Sequence, residues 1–121
     1  TLRNQGLEVF GEPILRSEAV LIRREGSHET ASVEVLRRRL TGVITARHYV
    51  MLDYDVPAGL VDGACAITPG LESPTVSPLQ NKDWCAVRAM VPRQGTNAIM
   101  DQLYDLGARA ILVTDIAACR L

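Results

Sequence analysis

The apolar residues after Gly26 recur at a spacing that predicts one amphipathic helix. They follow one another at intervals of three, four, three and one residues and form a single stripe: Val33, Leu36, Leu40, Val43 and Ile44. Two apolar-rich stretches before this helix, residues 7–15 and 19–24, are predicted to be strands joined around residues 16–18. Two strands are too few to form a sheet by themselves, and the stripe of the helix needs a partner.

The remainder of the chain predicts six further elements. Apolar alternation, Pro57 at a helix start and Gly107 at a helix stop define them: strand 49–55, helix 57–67, strands 75–79 and 84–91, helix 96–106 and strand 108–114. This strand-helix-strand-strand-helix-strand order is the ferredoxin-like βαββαβ arrangement, in which both helices cover one face of an antiparallel sheet. The predicted class is therefore α+β, with a strand-strand-helix segment before the ferredoxin-like domain.

Alternation also predicts which side chains face away from the helices. Val50 and Leu52 should point inward, whereas a mixed set should occupy the helix-free face: Met51, Asp53, Asp55, Thr75, Ser77, Trp84, Ala86, Arg88, Met90, Ala110, Leu112 and Thr114. Trp84, Met90 and Leu112 are too apolar for an uncovered sheet face. Two interpretations are open, partial exposure and an oligomer interface with a ligand site at its edge, and we favour the second.

The loop before the second strand of this domain concentrates turn-forming residues. Pro69 and Gly70 set a tight turn, and Pro74 biases Ser73 toward an extended conformation. A loop of this kind delivers the Thr75 hydroxyl and several backbone N–H groups to one place, as a site for a small polar molecule requires. The alternative is a loop that only connects its neighbours.

Composition limits the classes of function. The chain has 121 residues with a formal net charge of -1 and no basic stripe interleaved with aromatic residues, so we expect no nucleic-acid partner. No apolar stretch is long enough to span a membrane, and we expect no membrane partner. The first residues resemble neither a signal nor a transit peptide and do not begin with Met, so we expect the chain to be cut from a longer protein.

Candidate catalytic or metal-binding groups are few. Cys65, Cys85 and Cys119 are odd in number and widely spaced, which favours free thiols in a reducing cytosol over disulfides or a zinc site. His28 and His48 are predicted at a helix surface or helix end. No nucleophile, base and acid can be grouped, and no phosphate-binding glycine motif is present, so the sequence predicts no catalytic centre in this chain.

Several segments carry a resemblance to a known family. They cover nearly the whole chain: residues 1–7, 17–22, 49–55, 66–79, 83–92 and 107–116. These segments resemble the C-terminal part of long-form ATP phosphoribosyltransferases, most closely the actinobacterial members. The proline-bearing string 66–79 is the most specific of them. The resemblance implies that residues 1–48 are the remnant of a catalytic region and residues 49–121 a complete ferredoxin-like regulatory domain.

The resemblance also implies a function for the complete protein. Enzymes of this glycosyltransferase family are cytoplasmic and begin L-histidine biosynthesis, joining ATP to phosphoribosyl pyrophosphate with Mg²⁺ to give phosphoribosyl-ATP and pyrophosphate. Their regulatory domain binds L-histidine as a feedback inhibitor, and the protein shifts between dimers and hexamers. We expect this chain to keep the histidine site and the oligomer contacts, to hold no metal or other cofactor, and to be inactive alone.

Site residues are implied position by position. Asp55 matches a carboxylate suited to the ligand's ammonium group, while Leu71 and Thr75 match loop positions that meet the ligand. Met90 stands where relatives usually have Leu, and Ala110 matches a small residue that leaves room for the ligand. Thr1 resembles the last threonine of the substrate phosphate loop. The rival hypotheses are a generic amino-acid-sensing module and a purely structural oligomerisation domain of another enzyme.

Overall fold

Three α-helices and four strands form the regular part of the described residues. The computed structural model describes residues 5–28 and 30–120. Its elements follow in order: α1 Ala31–His48, β1 Tyr49–Pro57, a 3₁₀ turn Ala58–Leu60, α2 Val61–Ile67, β2 Thr75–Pro78, β3 Trp84–Pro92, α3 Thr96–Leu106 and β4 Arg109–Asp115. The predicted helix 57–67 is therefore split, since Pro57 ends β1 and a 3₁₀ turn precedes α2. The other five elements predicted from residue 49 onward lie within two residues of their observed bounds.

The four strands form one antiparallel sheet in the order β2-β3-β1-β4. The two longest strands, β1 and β3, are central and pair from Tyr49 with Pro92 to Pro57 with Trp84. Helices α2 and α3 contact each other as well as the sheet. The α+β class and the ferredoxin-like arrangement predicted from the sequence are confirmed.

The core lies between the sheet and these two helices. It is built almost wholly from aliphatic side chains together with one tyrosine: Val50, Leu52, Tyr54, Val56, Ala64, Val87, Ala89, Val91, Leu103 and Ala108. Along β1 every second residue is buried, so Met51, Asp53 and Asp55 face away from the core as predicted. Gly107 ends α3 with φ of 116°, a conformation that favours glycine.

The two strands predicted before α1 do not form, and that part of the prediction is wrong. Residues 7–24 contain no strand, and Phe10 and Ile14 are fully exposed. A strand is stabilised by hydrogen bonds to a neighbour, and among the described residues neither segment has a pairing partner. The amphipathic helix is confirmed as α1, but its stripe from Val33 to Ile44 also stays largely exposed.

Arg93 joins the C-terminus of α1 to the last residue of β4, Asp115. Its backbone N–H and its guanidinium donate to the carbonyl oxygens of His48, Arg47 and Tyr49 over 2.8, 3.0 and 3.4 Å. The same guanidinium bonds the Asp115 carboxylate at 2.8 Å. These contacts satisfy the last carbonyls of the helix, which would otherwise lack partners.

The C-terminal tail returns to α1 at Gly42. The backbone N–H and the thiol of Cys119 both donate to the Gly42 carbonyl oxygen, over 3.4 and 3.2 Å. A Cβ at position 42 would overlap the Cys119 carbonyl oxygen. The tail therefore lies against this helix only because residue 42 has no side chain.

Gly63→Ala should stabilise the chain, whereas Gly42→Ala should disturb the docking of the C-terminal tail. Alanine favours a helix interior by about 0.5–1 kcal/mol over glycine. At Gly63 the added methyl would meet only Leu106 at 3.6 Å, so Gly63→Ala should raise the melting temperature. Gly42→Ala should instead displace the tail and speed hydrogen exchange at the Cys119 amide. Equal stabilisation by both variants, with unchanged exchange, would show that the tail does not dock on the helix.

Candidate functional site

Two adjoining hollows lie on the helix-free face of the sheet and share Thr75 and Arg88. The first, about 200 Å³, is lined by the loop before β2 together with β1 and β3: Met51, Leu71, Glu72, Ser73, Thr75, Arg88, Ala89 and Met90. The second, about 240 Å³, is lined by Asp53, Thr75, Ser77, Ala86, Val87 and Arg88. Three residues assigned from the sequence, Leu71, Thr75 and Met90, thus share one hollow.

An ion pair between Arg88 and Asp53 lies where the two hollows adjoin. Arg88 Nε donates to Asp53 Oδ1 at 2.6 Å, with the side chains 64% and 30% exposed. In the strand register Thr75 lies directly opposite Arg88, and Arg88 directly opposite Asp53. The sequence pattern placed these residues on one face but gave no reason to assign Arg88 and Asp53 to the site. Only the register shows that they adjoin Thr75.

The loop that carries Leu71 is anchored at its start by a buried hydrogen bond. The hydroxyls of Tyr54 and Thr68 lie 2.6 Å apart, and Thr68 Oγ1 also donates to the Ala64 carbonyl at 3.0 Å. Burial raises the pKa of Tyr54 above its ordinary value, so this phenol stays neutral. Gly70 has φ of 71°, and a side chain there would press on the backbone at Ser73 and Pro74. The loop is therefore held at both its start and its turn.

Asp55 lies on the central strand β1, and Ala110 lies on the edge strand β4. Asp55 pairs with Ala86 on β3 and with Arg109 on β4. Its side chain faces away from the core, half-buried, and makes no hydrogen bond to any described residue. It borders the second hollow without lining it.

A β-bulge changes the expected orientation of Ala110. Asp53 pairs with Leu112 and Asp55 with Arg109, so Ala110 and Ile111 together oppose the single residue Tyr54. Ala110 has φ of 51°, which is uncommon for a residue with a Cβ. It lines a hollow of about 310 Å³ with Met100, Asp101 and Tyr104 of α3. The prediction that Ala110 faces the helix-free side with Thr75 is therefore wrong, because the bulge breaks the alternation.

The assigned residues do not all meet at one place. Thr75 and Ala110 lie on the two edge strands, three strand spacings apart. At about 4.8 Å per spacing this is about 14 Å. Leu71, Thr75 and Met90 share one hollow, whereas Asp55 on the helix-free face and Ala110 in the hollow beside α3 lie apart from it and from each other. Thr1 lies outside the described residues.

Arg37 and Cys65 lie outside these hollows. Four of the nine residues that line a hollow of about 610 Å³ beside α1 are arginines. One of them, Arg37, forks onto Glu34 at 2.8 and 2.9 Å and lowers the pKa of that carboxyl. Burial, and then the charge of Asp62, raise the pKa of the Cys65 thiol, which opposes activation as a nucleophile. Within residues 5–28 and 30–120, no three His, Cys, Asp or Glu side chains group to hold a metal ion. The helices of this part of the chain are also too short or too polar to cross a membrane.

Comparison with known proteins identifies the family. Residues 46–118 match the family described as HisG, C-terminal domain. The whole chain is 63% identical to the ATP phosphoribosyltransferase of Arthrobacter sp. (strain FB24), 60% to that of Streptomyces coelicolor and 55% to that of Bifidobacterium longum (strain NCC 2705). It spans 44%, 44% and 43% of their lengths. The resemblance stated from the sequence is thereby confirmed, and the chain belongs to the HisG C-terminal domain family.

Proposed function

We propose that this chain is the regulatory part of an ATP phosphoribosyltransferase and binds L-histidine as a feedback inhibitor. One observation carries the proposal: Leu71, Thr75 and Met90, assigned one at a time from the sequence, line a single hollow beside a cationic side chain, Arg88. A hydroxyl, an apolar wall and a guanidinium suit the carboxylate and carbon skeleton of an amino acid. The similarity to proteins named ATP phosphoribosyltransferase supports the same proposal.

Asp55 supplies the complementary charge. Asp55 is a half-buried carboxylate with no hydrogen-bond partner among the described residues, which suits an ammonium group. Because Asp55 lies outside the hollow that Leu71 lines, we propose that one ligand contacts both only when two copies of the chain meet. The hollow lined by Leu71 on one copy would then face Asp55 of its partner.

Titration calorimetry of the 121-residue chain tests the function. We expect L-histidine to release or absorb measurable heat at concentrations where other L-amino acids do not bind. Binding of several amino acids with similar affinity would favour a generic sensing module. Assembly without binding of any amino acid would favour a purely structural oligomerisation domain.

The helix-free face should also drive self-association. Leu112 is 63% exposed, and Trp84 and Met90 are only partly covered. Another copy of the chain would remove these apolar groups from water. In sedimentation velocity we expect the parent chain to form a dimer, trimer or hexamer, and L-histidine to favour the assembled state.

Leu112→Asp should move the chain toward the monomer, since it places a carboxylate in this apolar contact. Thr41→Asp, at an exposed position of α1 outside its apolar stripe, is the control and should leave this assembly intact. A parent chain that sediments as a monomer at every concentration would contradict the proposal.

For the complete protein we propose the reaction that the name of its relatives, ATP phosphoribosyltransferase, describes. It would join ATP to phosphoribosyl pyrophosphate, with Mg²⁺, as the first step of L-histidine biosynthesis, and so belong to the glycosyltransferases. Mg²⁺ would neutralise phosphate charge at a site formed by other parts of the protein. We also propose a cytoplasmic location, which the three unbridged thiols suit.

A further inference from the structure

Arg88 is the one cation among the side chains that line the two hollows. Its Nε is held by Asp53 Oδ1 at 2.6 Å, while its two terminal nitrogens, Nη1 and Nη2, donate no hydrogen bond to any described residue. The side chain is 64% exposed, so these nitrogens are reachable from solvent. Asp53 therefore holds the Nε edge of the guanidinium, and Nη1 and Nη2 remain available to donate to a ligand.

Thr75 beside Arg88 suits a carboxylate, while Glu72 and Asp53 add two carboxylates to the linings of the hollows. Thr75 lies directly opposite on β2, where side chains on the same face of paired strands approach to about 5 Å. A carboxylate over this pair can accept a fork of two N–H bonds from the guanidinium and one O–H bond from Thr75. Ala86, two residues before Arg88 on the same face, is small and forms the floor of the second hollow.

We propose that Arg88 recognises the carboxylate of the amino-acid ligand and that Asp53 positions its guanidinium for this contact. This inference rests on the proposed histidine function and adds a residue that determines specificity. It explains why an arginine occupies an exposed position between hydroxyl and apolar side chains. Asp53 prevents the long side chain from rotating away, so less conformational freedom is lost on binding.

The test compares two ligands that differ only at the carboxylate, L-histidine and L-histidinamide, by calorimetry on the 121-residue chain. Arg88→Gln should weaken L-histidine binding by about ten- to a hundredfold, the range for one lost charge-assisted hydrogen bond. Binding of L-histidinamide should change less than about threefold, because its neutral amide gains little from the guanidinium. Arg88→Lys keeps the charge but not the fork and should lie between Arg88→Gln and the parent.

Arg38→Gln is the matched control. Arg38 is 60% exposed and lies 3.5 Å from the carboxylate of Glu34 on α1, away from the hollows. Its replacement should leave both ligands unaffected. Thermal unfolding followed by fluorescence of Trp84, the single tryptophan, shows whether each variant keeps its fold.

The outcomes separate this inference from the function it rests on. A parent chain that does not bind L-histidine overturns the proposed function, and the inference with it. A parent that binds L-histidine while Arg88→Gln binds it equally well overturns the role of Arg88 alone. Parallel weakening of both ligands also overturns it, because Arg88 would then only shape the loop.

Discussion

Replacing Asp55 with Asn should reduce the affinity for L-histidine by about ten- to a hundredfold. The change keeps the shape of the side chain and removes its charge, and a charge-assisted hydrogen bond contributes roughly 1.5–3 kcal/mol. Asp55 makes no hydrogen bond within the described residues, so the fold should lose little stability. In the complete protein, feedback inhibition should weaken while uninhibited turnover stays nearly unchanged.

Calorimetry on the parent chain and on two aspartate variants checks this prediction. Asp105→Asn is the matched control, because Asp105 is exposed on α3, the helix packed on the opposite face of the sheet. It should bind L-histidine as the parent does. If Asp55→Asn also binds as tightly as the parent, Asp55 does not contact the ligand.

Two substitutions of Ala110 offer a companion test, read by L-histidine binding and by the melting temperature. Ala110→Leu should fill the hollow beside α3 and weaken L-histidine binding by shifting β4 at the bulge. Part of its effect will be strain, since position 110 has φ of 51°. Ala110→Gly removes that strain and leaves the space open, so it should keep L-histidine binding without lowering the melting temperature. Weaker binding by Ala110→Gly would contradict the assigned role.

The 121-residue chain by itself should form no phosphoribosyl-ATP from ATP, phosphoribosyl pyrophosphate and Mg²⁺. Among its described residues no three His, Cys, Asp or Glu side chains group to hold a metal ion, and the pKa of the Cys65 thiol is raised. Enzymes accelerate reactions by about 10⁶-fold or more, so real activity would exceed the background clearly. We therefore expect pyrophosphate release equal to that of a protein-free sample.

The control for this assay is a complete ATP phosphoribosyltransferase, such as the Streptomyces coelicolor relative, under the same conditions. It should turn over readily. Pyrophosphate release by the 121-residue chain, in material shown by mass spectrometry to hold no longer protein, would contradict the prediction.

Local pattern was sufficient for most of the fold. Strand alternation identified the buried side of β1 and β3, and apolar spacing with a glycine stop identified α3. Both signals arise from single elements that each bury one face, so neighbouring residues along the chain carry them. The strand prediction for residues 7–24 failed because it rested on this local signal alone. Apolar residues favour a strand only where another strand can pair with it, and the local sequence contains no record of that partner.

The sequence by itself determined the fold class, the inward residues of the central strands and the loop that brings Leu71 near Thr75. Only the tertiary structure showed that Arg88 and Asp53 form an ion pair beside Thr75 and that a bulge turns Ala110 away from it. Register and bulges depend on hydrogen bonds between segments distant along the chain. The separation of Asp55 from Thr75, and with it the proposal of a site shared by two copies, therefore followed from strand order rather than from any motif.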